Sequence, residues 1–242
     1  METTLDGLLD RRVTIKQPAK GYRVAIDTVL LASAVPVQAG EAALDLGCGV
    51  GGAMLCLARR VPGISATGLD IDEELIALCR ANIARNEFSG LAAEQGDATA
   101  LPQKFSAAFD HVLMNPPYHE ESRHDVSDNK QKRAANTEKD GDLALWITSA
   151  AQALKAGGTL TLIHRADRAK DILALLAKDF GVFETLALLP KKGSPPKRII
   201  VRARKGASGT AKSAELILHA EDGRYTGEAE SILRHAKAID FI

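Results

Sequence analysis

The chain has 242 residues, of which 45% are hydrophobic and 26% charged, the composition of an ordinary globular protein of α/β size and not of a disordered or fibrous one. Lys+Arg and Asp+Glu both total 31, so overall charge does not argue for a nucleic-acid partner. Three cysteines without paired or metal-like spacing read as incidental thiols in a reducing compartment. No apolar run approaches the ~20 residues that span a bilayer, and Met1 to Asp10 is too polar for a signal peptide, so the expected location is cytoplasmic.

From Thr4 to Gly21 charged residues mix with an alternating Val13 and Ile15, the pattern of a short hairpin or strand. Ala25 to Val35 carries a helical stripe with Asp27 or Thr28 as N-cap, and Pro36 ends it. Glu41 to Leu46 reads as a buried strand, followed by Gly47-Cys48-Gly49-Val50-Gly51-Gly52 and an apolar helix through Arg60. This is a mononucleotide-binding start: glycines permit a tight turn and close approach of a ligand, and the helix N-terminus presents unpaired N–H groups. Ser65 to Leu69 is a second strand ending at Asp70. A helix from Glu73 to Asn86 turns Leu75, Leu78 and Ile83 inward. Leu91 to Gln95 is the third strand, ending at Gly96-Asp97, and Phe109 to Met114 is the fourth.

Two prolines stop that fourth strand at once, since each lacks a backbone donor and fixes φ. Asn115 and Tyr118 are therefore held in a stiff Asn115-Pro116-Pro117-Tyr118 frame at a strand's carboxyl end, where open α/β sheets bind ligands. The Asn115 side-chain carbonyl and the Pro116 backbone carbonyl are two acceptors able to converge on one NH2 group. A conjugated amine is a poor nucleophile because its lone pair is delocalised. Two acceptors on its hydrogens favour the pyramidal, nucleophilic form that develops in the transition state. A base stacked on Tyr118 gains roughly 1–3 kcal/mol.

The other strands also end in polar residues: Asp45, Asp70 and Asp97. Asp70 is placed to accept from both hydroxyls of a ribose, and Asp97-Ala98 suits an adenine amine. Gly47, Gly49 and Gly52 also satisfy G-x-G-x-x-G, which makes an NAD-dependent oxidoreductase the competing reading. Asp45 discriminates between the two. A carboxylate two residues before the first glycine repels a pyrophosphate but attracts an ammonium or a sulfonium, and S-adenosylmethionine carries both cations and no phosphate.

Beyond the motif, His119 to Lys139 is polar with no apolar period. It reads as a lid that orders on nucleic acid, with Lys130, Lys132 and Arg133 as phosphate contacts, or as a disordered loop. His119 and His124 are five apart, so no zinc motif is formed and no metal is expected. Leu143 to Leu154 is a helix bearing Trp146, and Gly157-Gly158 turns the chain into a fifth strand at Thr159 to Ile163. A helix from Arg168 to Phe180 and strands Val182 to Leu189 and Arg198 to Ala203 complete a seven-stranded, mostly parallel sheet. Glu215 to His219 is a further edge strand and Gly227 to His235 a terminal helix. Between Lys191 and Lys212 basic residues occur with no acidic residue, which is either a basic patch or a solvated strand and loop. No repeat or long linker divides the chain.

With Asp45-Leu46-Gly47-Cys48-Gly49-Val50-Gly51 and Asn115-Pro116-Pro117-Tyr118, the chain resembles the class I methyltransferases that use S-adenosylmethionine. Among them it is most similar to the bacterial tRNA adenine-N6 methyltransferases that act beside the anticodon of a valine tRNA. The similarity extends through Tyr22 to Ala32, Gly157-Gly158, Pro195-Pro196-Lys197-Arg198 and Asp222-Gly223-Arg224-Tyr225-Thr226. It implies a single Rossmann-like domain with a C-terminal antiparallel hairpin, in which residues 1–40 cover the cofactor and residues 41–242 form the catalytic core. Asn115, Pro116, Pro117 and Tyr118 are then catalytic. Asp45, Gly47, Cys48, Gly49, Gly51, Asp70, Ile71, Asp97, Ala98 and Asn115 bind cofactor, and Lys197 and Arg198 join the lid cations on a tRNA substrate.

Where such relatives commonly show Thr-Asp-Gly this chain has Ile26-Asp27-Thr28, so only Asp27 carries over. Tyr22, Arg23 and Asp27 are read either as contacts of the cofactor's methionine end or as a helix cap and surface residues. The alternatives are a protein glutamine N-methyltransferase, which usually carries a separate helical substrate domain that the roughly forty residues before the first strand do not supply, another nucleic-acid adenine methyltransferase, or a noncatalytic RNA-binding module.

Overall fold

The computed structural model describes residues 2–21, 23–117 and 142–241. The chain opens with a hairpin of β1 (Thr3–Leu8) and β2 (Val13–Pro18), followed by α1 (Ile26–Ala34). Alternation then begins: β3 (Ala42–Leu46), α2 (Gly52–Arg60), β4 (Ser65–Asp70), α3 (Glu73–Arg85), β5 (Leu91–Gln95) and β6 (Phe109–Met114). The second half runs α4 (Asp142–Ala153), β7 (Leu154–Arg165), α5 (Ala169–Leu176), β8 (Phe180–Lys191), β9 (Arg198–Lys205), β10 (Lys212–His219) and α6 (Gly227–His235).

Eight strands form one sheet in the order β10-β8-β9-β7-β6-β3-β4-β5. From β5 to β7 all pairs are parallel, whereas β9 runs antiparallel to both β7 and β8. The expected antiparallel hairpin is therefore present. The edge strand expected from Glu215 begins at Lys212 and joins the same sheet, parallel to β8, where it covers N–H and C=O groups that an exposed edge would leave unpaired.

Both faces of this sheet are covered, which explains why β3 and β6 read as near-continuous apolar runs. On one face α1, α2, α3, α6 and the hairpin pack around Leu30, Leu31, Met54, Leu57 and Ile76; on the other, α4 and α5 pack around Leu44, Val112, Met114, Leu162 and Ile172.

Local expectations are corrected in four places. The N-cap of α1 is Ala25, with no side-chain cap; Asp27 and Thr28 lie within the first turn, where Asp27 accepts from Arg198. The inner line of α3 is Ile76, Cys79, Asn82 and Ile83, one helical step from the expected stripe, and leaves Leu75 and Leu78 only partly buried. Gly157-Gly158 lie inside β7, not ahead of it: β7 advances from Leu154 to Thr159 while β6 advances from Phe109 to His111, and a Cβ on Gly158 would stand 2.8 Å from the Asp110 carbonyl oxygen. Finally, α5 is shorter than predicted, since the chain must turn to start β8 at Phe180 opposite Lys205.

The hairpin is fixed to α3 by two asparagines one turn apart that treat β2 as a neighbouring strand would. Asn86 accepts from the Thr14 N–H (2.9 Å) and donates to the Thr14 carbonyl (2.7 Å). Asn82 does the same with Lys16 (2.7 and 2.9 Å) and also donates to the Val50 carbonyl in the glycine loop at 3.0 Å. Asn82 is fully buried, so truncating it strands polar groups on two other segments. Asn82→Ala is expected to lower the unfolding free energy by about 3 kcal/mol, and Asn86→Ala by less, in urea titrations with unchanged slope.

Candidate functional site

The strand order reverses between β3 and β6: from β3 the chain moves to β4 and β5, and from β6 to β7 on the other side. Loops leaving the two carboxyl ends therefore diverge and open a crevice. Leu46 is paired with Met114, so Gly47 and Asn115 are the first residues beyond two neighbouring strand ends at its base.

On the β3 side, Asp45 is 3% exposed and one of its carboxylate oxygens accepts from the Met54 N–H at 3.1 Å, capping the first turn of α2 from within the sheet. Burial pushes this carboxyl up to about 7; the Met54 hydrogen bond opposes the shift and the Asp70 charge adds to it. A carboxylate held this way lowers its energy by gaining a cation, which fits a ligand bearing an ammonium or sulfonium.

The loop itself is pinned on several sides. The Gly47 and Cys48 N–H groups donate to the Leu69 carbonyl at 2.7 and 3.0 Å, and the Gly49 N–H donates to Asp70 Oδ2 at 2.8 Å. Gly47 has φ +74°, and a Cβ there would lie 2.3 Å from the Trp146 indole, so only glycine fits beneath that ring. A Cβ on Gly49 would meet nothing within 4 Å, which leaves space over the turn for a ligand. Gly51 is the N-cap of α2. The Cys48 thiol is buried against Cys79, whose hydrogen bond, with burial, pushes its pKa well above the ordinary thiol value; at this position the backbone, not the sulfur, is available to a ligand.

At the tip of β4, Asp70 Oδ1 accepts from the Asp72 N–H at 3.0 Å while Oδ2 holds Gly49; each oxygen retains a second acceptor site, enough for two hydroxyls. Burial raises the pKa of this carboxyl too. Ile71 follows, 66% exposed. After β5, Asp97 Oδ1 accepts from both the Thr99 N–H and its hydroxyl at 2.7 Å, and Ala98 beside it is buried.

On the β6 side, Asn115 and Pro117 are half-buried and Pro116 is buried. Tyr118 lies outside the described residues, as do Tyr22, Lys130, Lys132, Arg133 and the rest of the His119 to Lys139 segment. Three of the expected contact residues are engaged by other groups of the chain. The Arg23 guanidinium faces the hairpin, pairing with Asp6 at 2.8 Å and donating to Thr4 Oγ1 and the Pro18 carbonyl at 3.0 Å. Asp27 and Arg198 pair with each other at 2.9 Å, at the sheet's carboxyl edge, so part of each side chain is engaged in binding the other.

Two residues near the crevice had no sequence signal. Trp146, noted only as a helix residue, packs on Gly47 from α4. His164, fully buried, stands two residues past Leu162, the partner of Met114, and so on the strand beside Pro116; burial first, then Arg168, pushes its pKa down to about 4, which keeps the ring neutral.

The fold is shared with solved structures of methyltransferases. A protein from Agrobacterium tumefaciens described as a predicted O-methyltransferase superimposes with a TM-score of 0.74 at 25% identity, covering 88% of this chain and 98% of its own. Residues 21–191 match the model of the methyltransferase small domain, and the chain belongs to that family. Two proteins named tRNA1(Val) (adenine(37)-N6)-methyltransferase are similar over nearly their whole length. That of Bacteroides thetaiotaomicron is 27% identical over 93% of this chain and 94% of its own, and that of Mannheimia succiniciproducens 28% over 96% and 95%.

Because the Asp45 carboxyl keeps its proton up to about 7 when folded, but loses it near 3.8 as an ordinary carboxyl, the folded state binds the extra proton between those values. Its contribution to stability therefore falls as pH rises from about 4 to about 7 and is level above. Asp45→Asn is expected to match the parent near pH 4 and to exceed it by about 4 kcal/mol at pH 8 in urea unfolding of the ligand-free protein.

Proposed function

We propose that this chain transfers a methyl group from S-adenosylmethionine to the exocyclic N6 amine of an adenine in tRNA, in the cytoplasm. The observation that carries the reading is the placement of the Asn115-Pro116-Pro117 turn directly across the switch point from Asp45 and Gly47. One side of the crevice suits a cation-bearing nucleoside and the other suits an NH2 group. The names of the similar proteins supply the tRNA and the adenine position.

In this reading Asp45 and the backbone of Gly47 to Gly51 hold the cofactor's cationic end, Asp70 the ribose, and Asp97, Ala98 and Ile71 the adenine. The hairpin and α1 cover that side, with Asp27 at its margin. Bound S-adenosylmethionine supplies an electrophilic methyl on sulfur. Asn115 Oδ1 and the Pro116 carbonyl accept the two hydrogens of the target amine, which localises the nitrogen lone pair, and Tyr118 stacks the extruded base. No strong base is needed before attack, because the nitrogen becomes acidic only once it carries the methyl group.

Three measurements test the reading. Radiolabelled methyl is expected in tRNA lacking the endogenous modification and to digest to N6-methyladenosine; label absent from tRNA while cofactor binding is intact would refute it. Asn115→Ala is expected to keep cofactor affinity within about threefold and to lower kcat by about 10²- to 10³-fold, the usual loss when one transition-state hydrogen-bond partner is removed. Cofactor affinity is expected to fall as pH drops below about 7, the value at which Asp45 gains its proton, by up to about tenfold per pH unit. Trp146, the only tryptophan, rests on Gly47 and gives the fluorescence signal for both affinity measurements.

A further inference from the structure

The basic run from Lys191 to Lys212 is divided by the fold. Arg198 pairs with Asp27, Arg202 pairs with Glu184 at 2.6 Å and donates to the Ala34 carbonyl, and the Lys205 ammonium caps α4 on the Ala151 and Leu154 carbonyls. Arg204 donates to the Gly157 carbonyl at the amino edge of the sheet. Of the rest, Lys212 opens β10 at the amino edge, which leaves Lys191, Lys192 and Lys197. All three are exposed, and among the described residues none has an ion-pair partner.

These three lysines occupy the turn between β8 and β9. Since Arg165, the last residue of β7, is paired with Arg198, and Leu188 with Arg198 on the other side, this turn lies at the carboxyl edge, the same edge as Asn115. From β6 to β8 is three strand spacings, about 14 Å, or a few nucleotides of a backbone whose target base is at Asn115.

The turn is built, not loose. Ser194 N–H donates to Lys191, Lys197 N–H to Leu188, and two prolines fix the segment between. His219 at the end of β10 donates from Nδ1 to the Pro190 carbonyl at 3.2 Å and stacks on Tyr225 at 4.9 Å, bracing the turn from its outer side.

We infer that Lys191, Lys192 and Lys197 form a phosphate-tracking crest that holds the RNA backbone a few nucleotides from the target adenine. The inference rests on the RNA reading above, and it places affinity for the polyanion in a rigid turn separate from the chemistry. It predicts a KM effect and a salt effect with no change in cofactor binding.

The test compares two triple charge reversals by fluorescence anisotropy with an unmodified tRNA transcript across salt concentrations. One variant carries Lys191→Glu, Lys192→Glu and Lys197→Glu. The control carries Lys178→Glu, Arg204→Glu and Lys212→Glu, the same charge change at the opposite edge. The crest variant is expected to bind about tenfold or more weakly, with a slope of log affinity against log salt reduced by about two to three, while the control stays near the parent. Equal losses in both variants, or no loss in the crest variant, would overturn the inference. Methyl transfer is read in parallel: a crest-dependent affinity without labelled tRNA would leave the crest standing and defeat the proposed reaction, whereas labelled tRNA with crest-independent affinity would do the reverse.

Discussion

The hydrogen bond from the Met54 N–H to the buried Asp45 carboxylate is the contact on which the site depends. It joins the end of β3 to the first turn of α2 and so fixes the glycine loop between them. It also places a carboxyl where water does not reach, at an energetic cost that one backbone donor offsets only in part, as the shift of that carboxyl to about 7 records. A fold assembled for stability alone would put an apolar residue here. On the proposed reading, this charge is half of an ion pair whose other half arrives with the cofactor.

Much of the remaining structure keeps that loop from relaxing around the carboxylate. The Leu69 carbonyl holds its first two N–H groups, Asp70 holds the third, Asn82 holds the Val50 carbonyl and the Trp146 ring covers Gly47. These partners come from β4, α3 and α4, on both faces of the sheet. The same Asn82 anchors the hairpin at Lys16, so the N-terminal segment and the loop are held by one side chain. A preorganised loop loses little freedom on binding, which directs binding energy to orientation instead of to ordering.

What the sequence made legible follows from what is local. The strands ending in Asp45, Asp70, Asp97 and Asn115, the glycine turn and the two prolines all declare themselves within a few residues, because each is a statement about one turn at one strand end. The Trp146 contact with Gly47, the asparagine pairing with β2 and the burial of His164 involve partners up to about a hundred residues away and leave no spacing to read. Arg23 shows the same limit in the opposite sense: its neighbourhood in sequence suggested the cofactor, but Asp6 and Thr4, brought close by the hairpin, take its guanidinium.

The basic run shows why composition over a window is a poor guide to a surface. A strand turns successive side chains to opposite faces, and a hairpin puts its turn at one edge and its open end at the other, so one contiguous stretch of charge is spread over several environments. On β9 the arginines at 198 and 202 share a face with α1 and are drawn to Asp27 and to the Ala34 carbonyl, while Arg204 and Lys205 reach the far edge. At the edge where the crevice opens, Arg165 and Arg198 are paired with Asp167 and Asp27, and the turn adds Lys191, Lys192 and Lys197, which have no ion-pair partner among the described residues. Surplus positive charge is thus concentrated where a polyanion reaching Asn115 would pass, although the chain as a whole has as many acidic as basic residues. On the proposed reading, placement at one edge and not net charge is what a neutral protein would use to hold a nucleic acid.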